Sequence, residues 1–99
     1  MTNVNFKLVT IISEPVLSSS LVTTIRTLGA TGFTISDVHG EGTGEKRSGE
    51  VPTEKIKIEV IVDATLAKEI MSEIAKNYFE NYSLIVYATD IQVIRQEKF

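Results

Sequence analysis

Apolar residues alternate with polar ones, or run together, over four segments whose lengths are typical of β-strands. In the first segment, residues 4–12, the two-residue period places four apolar side chains on one face: Val4, Phe6, Leu8 and Ile12. The other segments are residues 33–38, 55–62 and 84–88, and the last two carry apolar residues on both faces. The pattern therefore predicts four strands, two of which need cover on both sides.

Two segments between these strands follow the period of an α-helix. In residues 13–28 one face is apolar, at Leu17, Leu21, Ile25 and Leu28. We expect Ser13 to cap this helix, Pro15 to lie in its first turn and Gly29 to end it. In residues 63–78 the cap is Asp63 or Thr65, and the buried stripe is Ala67, Ile70, Met71, Ile74 and Tyr78.

The order strand, helix, strand, strand, helix, strand is that of the split βαβ, or ferredoxin-like, α+β fold. It predicts one four-stranded antiparallel sheet with both helices on one face. The opposite face of such a sheet is uncovered, although residues 55–62 and 84–88 are apolar on both sides. We therefore expect the sheets of several copies to meet face to face in a homo-oligomer.

Length, charge and cysteine content narrow the function classes. The 99 residues form one domain, residues 1–99, and 10 basic against 13 acidic residues leave a net charge of −3. An acidic chain is a poor nucleic-acid binder, because phosphate binding needs a concentrated positive field. The absence of cysteine excludes a disulfide framework and a thiolate site. With no signal-peptide pattern or long apolar run, we expect a cytoplasmic protein.

The glycine-rich loop over residues 40–52 is the most informative stretch for chemistry. Its spacing matches neither a Walker P-loop nor a dinucleotide-binding fingerprint, and no helix follows it. Composition alone favours an ordinary solvated loop. Its glycines, its Thr43 and Ser48 hydroxyls and its Lys46–Arg47 pair are nevertheless groups that bind an anionic phosphate.

A metal site is the alternative chemistry. Asp37, His39 and Glu41 alternate, so they share one face if the second strand continues through them. A solvated strand end explains them better, because metal triads of this kind generally use two histidines and this chain has one. The single histidine also leaves no convincing catalytic triad, so we do not expect an enzyme.

A longer pattern indicates a family. Residues 29–34, GATGFT, with Val38, Gly40 and Gly42, resemble the G-x-x-G-[MF]-T-x-x-x-V-x-G-x-G signature of PII signalling proteins. Residues 57–62, KIEVIV, resemble the strand that returns from the large T-loop of that family. Residues 78–82, YFENY, with the IVY of residues 85–87, are similar to the SbtB-like branch, whose members accompany bicarbonate transporters or carboxysomes.

This resemblance implies a homotrimer that binds adenine nucleotides in clefts between subunits and signals through a T-loop at about residues 40–53. The implied nucleotide-binding positions are Thr34, Gly40, Gly42, Thr43, Arg47, Ser48 and Ile61. The phosphate loop T-G-x-x-G-D-G-K of nitrogen-regulatory PII is absent, so AMP, ADP or cyclic AMP is favoured over ATP with Mg²⁺. The implied partner is an enzyme or a membrane transporter, such as a bicarbonate transporter, which would recruit the protein to the inner face of the membrane.

Two other classes share the architecture. A CutA-like trimer would bind a divalent metal through Asp37, His39 and Glu41. An enzyme of acylphosphatase type would hold phosphate with Arg47, but the chain lacks an arginine in the turn between the first strand and the first helix.

Overall fold

The computed structural model describes residues 5–42 and 53–99. Its main elements, in chain order, are β1 (Phe6–Ser13), α1 (Ser18–Leu28), β2 (Phe33–Gly40), β3 (Thr53–Asp63), α2 (Ala64–Tyr78) and β4 (Ile85–Ile91). The strands form one sheet in the order β2-β3-β1-β4, and every neighbouring pair is antiparallel. The predicted ferredoxin-like βαββαβ fold is confirmed. Neither helix has the length and apolar character that crossing a membrane requires, within the described part of the chain.

The core lies between the helices and one face of the sheet. Val9 and Ile11 of β1 pair with Val60 and Ile58 of β3, and all four are fully buried. The helices cover them with side chains from their apolar stripes, Leu21, Ile25, Ala67, Ile70 and Ile74. The β-branched residues suit the pleated surface, and the stripe spacing suits the helices, so local preference and packing agree.

The first helix begins differently from the prediction. A 3-10 turn, Pro15–Leu17, precedes α1. Glu14 rather than Ser13 occupies the N-cap position of this turn. The Ser13 hydroxyl instead donates to the Glu14 carbonyl oxygen at 3.1 Å. The end of α1 is as predicted, because Gly29 has a φ of 115°, a conformation that side chains disfavour.

The second helix is capped by Asp63, one of the two candidates. Its carboxylate accepts a hydrogen bond from the backbone N–H of Leu66 at 2.8 Å. This bond satisfies one of the donors that the first turn of a helix leaves without an intrahelical partner.

We call the sheet face opposite the helices the open face. In β1 it carries Phe6, Leu8 and Ile12, the residues whose alternation is conspicuous in the sequence, while the core is built on the other face of that strand. In β4 it carries Ile85 and Tyr87, residues that are 54% and 46% exposed. Ile85 and Tyr87 thus leave apolar surface in water on a single copy of the chain.

The far end of the open face is partly covered by the C-terminal residues. A 3-10 turn, Gln96–Lys98, brings Phe99 edge-on to Phe6, with ring centroids 6.4 Å apart. At this end of the sheet Phe6 is only 5% exposed. The exposed Ile85 and Tyr87 lie toward the other end.

Candidate functional site

A concave pocket of about 350 Å³ lies on the open face, at the end of the sheet where β2 stops and β3 begins. Strand register brings its walls together. Ile12 of β1 pairs with Lys57 on one side and with Ile85 on the other. The full lining is Ile12, Val38, His39, Gly40, Glu41, Gly42, Lys55, Lys57, Ser83, Ile85 and Tyr87. The pocket therefore draws on all four strands and on the turn between α2 and β4.

The pocket combines an apolar wall with groups that favour an anion. Lys55 and Lys57 occupy alternate positions of β3, so they lie on the same face of the sheet. Backbone at Gly40 and Gly42 has no side chain to keep a ligand away, and the Ser83 and Tyr87 hydroxyls are hydrogen-bonding groups. With two lysines against one carboxylate, that of Glu41, this lining favours an anion with an apolar portion over a wholly polar or wholly apolar molecule.

Sequence reasoning missed the contribution of β3 and β4 to this pocket. The K-x-K alternation at Lys55 and Lys57 is visible in the sequence, but it is also the ordinary pattern of a half-exposed strand. Ser83 and Tyr87 carry no local signal, because they reach the pocket only through the pairing of β4 with β1.

The predicted nucleotide-binding residues fall into three groups. Gly40 and Gly42 line the pocket. Thr34 and Ile61 lie on the open face away from it, paired with Glu59 and Leu8 respectively. Thr43, Arg47 and Ser48 lie outside the described residues.

Thr34 is far from the pocket glycines because of its position on β2. Thr34 and Gly40 belong to the same strand, and six residues of extended chain span about 20 Å. Within one copy of the chain, these two predicted contact points therefore lie at opposite ends of β2.

These features occur in a chain whose residues 6–98 match the family described as nitrogen regulatory protein P-II. The chain belongs to this family. Solved structures of PII-like proteins have a similar fold over 96–100% of this chain. A PII-like signaling protein from Thermus thermophilus is 37% identical, with a TM-score of 0.81 over 100% of this chain and 99% of that one.

Two further similar structures are of CPII, a nitrogen regulatory PII-like protein from Thiomonas intermedia. The structure bound to ADP, AMP and acetate is 26% identical, with a TM-score of 0.79 over 100% of this chain and 98% of CPII. The structure bound to ADP and bicarbonate is 26% identical, with a TM-score of 0.80 over 96% and 94%.

In this PII-family chain the metal-binding alternative is not favoured. Asp37 and His39 lie on β2, but the strand ends at Gly40, so Glu41 no longer follows the alternation that would align the three. Among residues 5–42 and 53–99, no three histidine, cysteine or acidic side chains are grouped so as to hold a metal ion. The CutA-like interpretation loses the cluster on which it depended.

Proposed function

We propose that this PII-family signalling protein binds an adenine nucleotide, AMP, ADP, ATP or cyclic AMP, and reports its occupancy to a partner. The observation that carries the proposal is the pocket where β2 ends and β3 begins. There Lys57 offers a positive charge beside an apolar wall, and Gly40 and Gly42 have no side chain to separate their backbone from a ligand. The CPII structures, bound to ADP and AMP, support this choice of ligand.

The proposed site is shared between subunits of a homotrimer. Thr34 lies about 20 Å from Gly40 along β2, too far for both to contact one nucleoside monophosphate within a single copy. Both stretches lie on or beside the open face, whose exposed apolar side chains favour association. One subunit would supply Gly40, Gly42 and Lys57 to the phosphate, and its neighbour would supply Thr34 and Ile61 to the adenine.

Residues 40–53 are proposed as the T-loop that carries the signal. Thr43, Arg47 and Ser48 would contact the phosphate from this loop, so occupancy of the pocket would favour one loop conformation over others. Such a switch is limited by the difference in ligand affinity between the two loop states. The protein would act by binding rather than by catalysis.

The partner we propose is a membrane transporter, following the resemblance to the SbtB-like branch in residues 78–87. Binding to it would bring a cytoplasmic protein to the inner face of the membrane. CPII, bound to bicarbonate together with ADP, supports bicarbonate transport as the regulated process.

A thermal-shift panel of AMP, ADP, ATP and cyclic AMP tests the nucleotide proposal, with GTP as the control. A ligand that binds only the native state adds about 2.7 kcal/mol of stability at 100 times its Kd. At least one adenine nucleotide should therefore raise the melting temperature clearly, and Lys57→Gln should reduce that rise while Lys68→Gln, on α2, should not. If none of the four raises it, the proposal is wrong, and a parallel titration with divalent metals tests the CutA-like alternative.

A further inference from the structure

Three hydroxyl groups join the two helices near the pocket end of the molecule. Tyr78, the last residue of α2, is 6% exposed, and its phenolic oxygen contacts the Ser20 hydroxyl of α1. The same oxygen lies 3.3 Å from the Thr24 hydroxyl, which itself donates to the Ser20 carbonyl at 3.0 Å. Because Ser20 and Thr24 are about one helical turn apart, α1 contacts the phenol from two successive turns.

Tyr78 also anchors the turn that leads from α2 to β4. Its carbonyl oxygen accepts hydrogen bonds from the N–H groups of Asn81 and Tyr82, at 3.2 and 2.9 Å. The Tyr82 ring lies against the Tyr78 ring, with centroids 6.1 Å apart. At the other end of the turn, Leu84 is 7% exposed and belongs to the core. The turn is therefore held at both ends.

Ser83, between these two anchors, lines the pocket, but Tyr78 does not. We propose that Tyr78 is a positioning residue: its hydroxyl, held by Ser20 and Thr24, fixes the turn over residues 79–84 and with it the pocket wall at Ser83. The consequence for ligand affinity rests on the proposed function. A wall that is already ordered binds at a lower entropic cost than one that the ligand must order.

The test compares Tyr78→Phe, which removes only the hydroxyl, with Ile70→Val, a small buried change earlier in α2. Residue-resolved hydrogen exchange is measured without ligand, and the Kd for AMP and ADP is measured by calorimetry. In Tyr78→Phe the Asn81 and Tyr82 amides should exchange about 3- to 10-fold faster, and the Kd should rise by a similar factor, the effect of losing one neutral hydrogen bond. Ile70→Val should change neither, although it also lowers the melting temperature.

Equal exchange at these two amides in both variants would overturn the inference. Faster exchange with an unchanged Kd would show that the turn does not position the binding wall, and would also overturn it. If the unmodified protein binds none of the nucleotides, the proposed function fails, and exchange at the two amides alone decides whether Tyr78 fixes the wall.

The hydroxyls of α1 provide an independent check. Ser20→Ala should accelerate exchange at Asn81 and Tyr82, and Ser20→Thr, which keeps a hydroxyl, should restore the slower rate. In the Tyr78→Phe background Ser20→Ala should add little, because the contact is already absent. Full additivity of the two changes would contradict a role for this contact.

Discussion

Ile85 offers a direct test of whether the open face is the surface through which copies of this protein associate. It begins β4, pairs with Ile12 across the open face, and is 54% exposed to water. Shortening it to alanine removes apolar surface that a face-to-face assembly would bury. Since this surface is exposed in the single chain, Ile85→Ala should weaken assembly more than it destabilises the fold.

The magnitude follows from the exposed fraction. Complete burial of an isoleucine side chain is worth about 1.5–3 kcal/mol, so the 54% that remains exposed represents about 0.8–1.6 kcal/mol for each copy. In a trimer the three copies together contribute roughly 2.4–4.9 kcal/mol. Because the dissociation constant of a trimer has units of concentration squared, the midpoint concentration varies as its square root and should rise by about 8- to 60-fold. Alanine keeps the β-carbon, which favours the lower part of this range.

Sedimentation velocity over a concentration series, without nucleotide, measures the midpoint. Ile94→Ala is the matched control, because Ile94 is 99% exposed and lies beyond the end of β4. The control should assemble like the unmodified protein. An Ile85→Ala midpoint equal to that of the control would refute the assignment of the open face as the association surface, and a monomeric unmodified protein at all concentrations would refute assembly itself.

Three other changes have defined outcomes. Asp63→Ala removes the cap that accepts from the Leu66 N–H, and should lower the melting temperature by about 4–8 °C for a loss of about 1 kcal/mol, whereas Asp63→Ser should retain most of the stability. Gly29→Ala, at a φ of 115°, should cost about 1–2 kcal/mol in chemical denaturation, and Gly32→Ala, with open space around its Cβ position and an ordinary φ, should cost clearly less. Arg47→Ala should weaken nucleotide binding by about 1.5–3 kcal/mol in calorimetry with assembly unchanged, and an unaltered affinity would remove Arg47 from the proposed site.

Most of the fold was predictable because its signals are local. The period-two segments became strands and the period-3.6 segments became helices, and Gly29 and Asp63 mark helix ends through their own backbone and side-chain chemistry. The start of α1 was not predicted correctly. A 3-10 turn at Pro15–Leu17 precedes α1, and neither this turn nor α1 has a side-chain cap at its start, since the Ser13 hydroxyl donates to the neighbouring Glu14 carbonyl instead.

The candidate site was predictable only in part. Gly40 and Gly42 carry a recognisable spacing and do line the pocket. Lys57 and Ser83 were missed, because their place in the pocket depends on register between strands that are distant in the chain. The Asp37, His39 and Glu41 alternation was a valid sequence pattern, but it needed a strand longer than the one that forms.

Periodicity and capping act over a few neighbouring residues, so the type, order and approximate ends of the elements follow from the amino-acid sequence without any knowledge of packing. Which face of β1 is buried depends instead on tertiary packing: Val9 and Ile11 pack under the helices, while Leu8 and Ile12 are left on the open face. Tertiary packing also brings the Tyr78 hydroxyl to Ser20 of α1, 58 residues away along the chain. Both outcomes depend on how distant segments pack against one another, and neither strand alternation nor helical spacing carries that information.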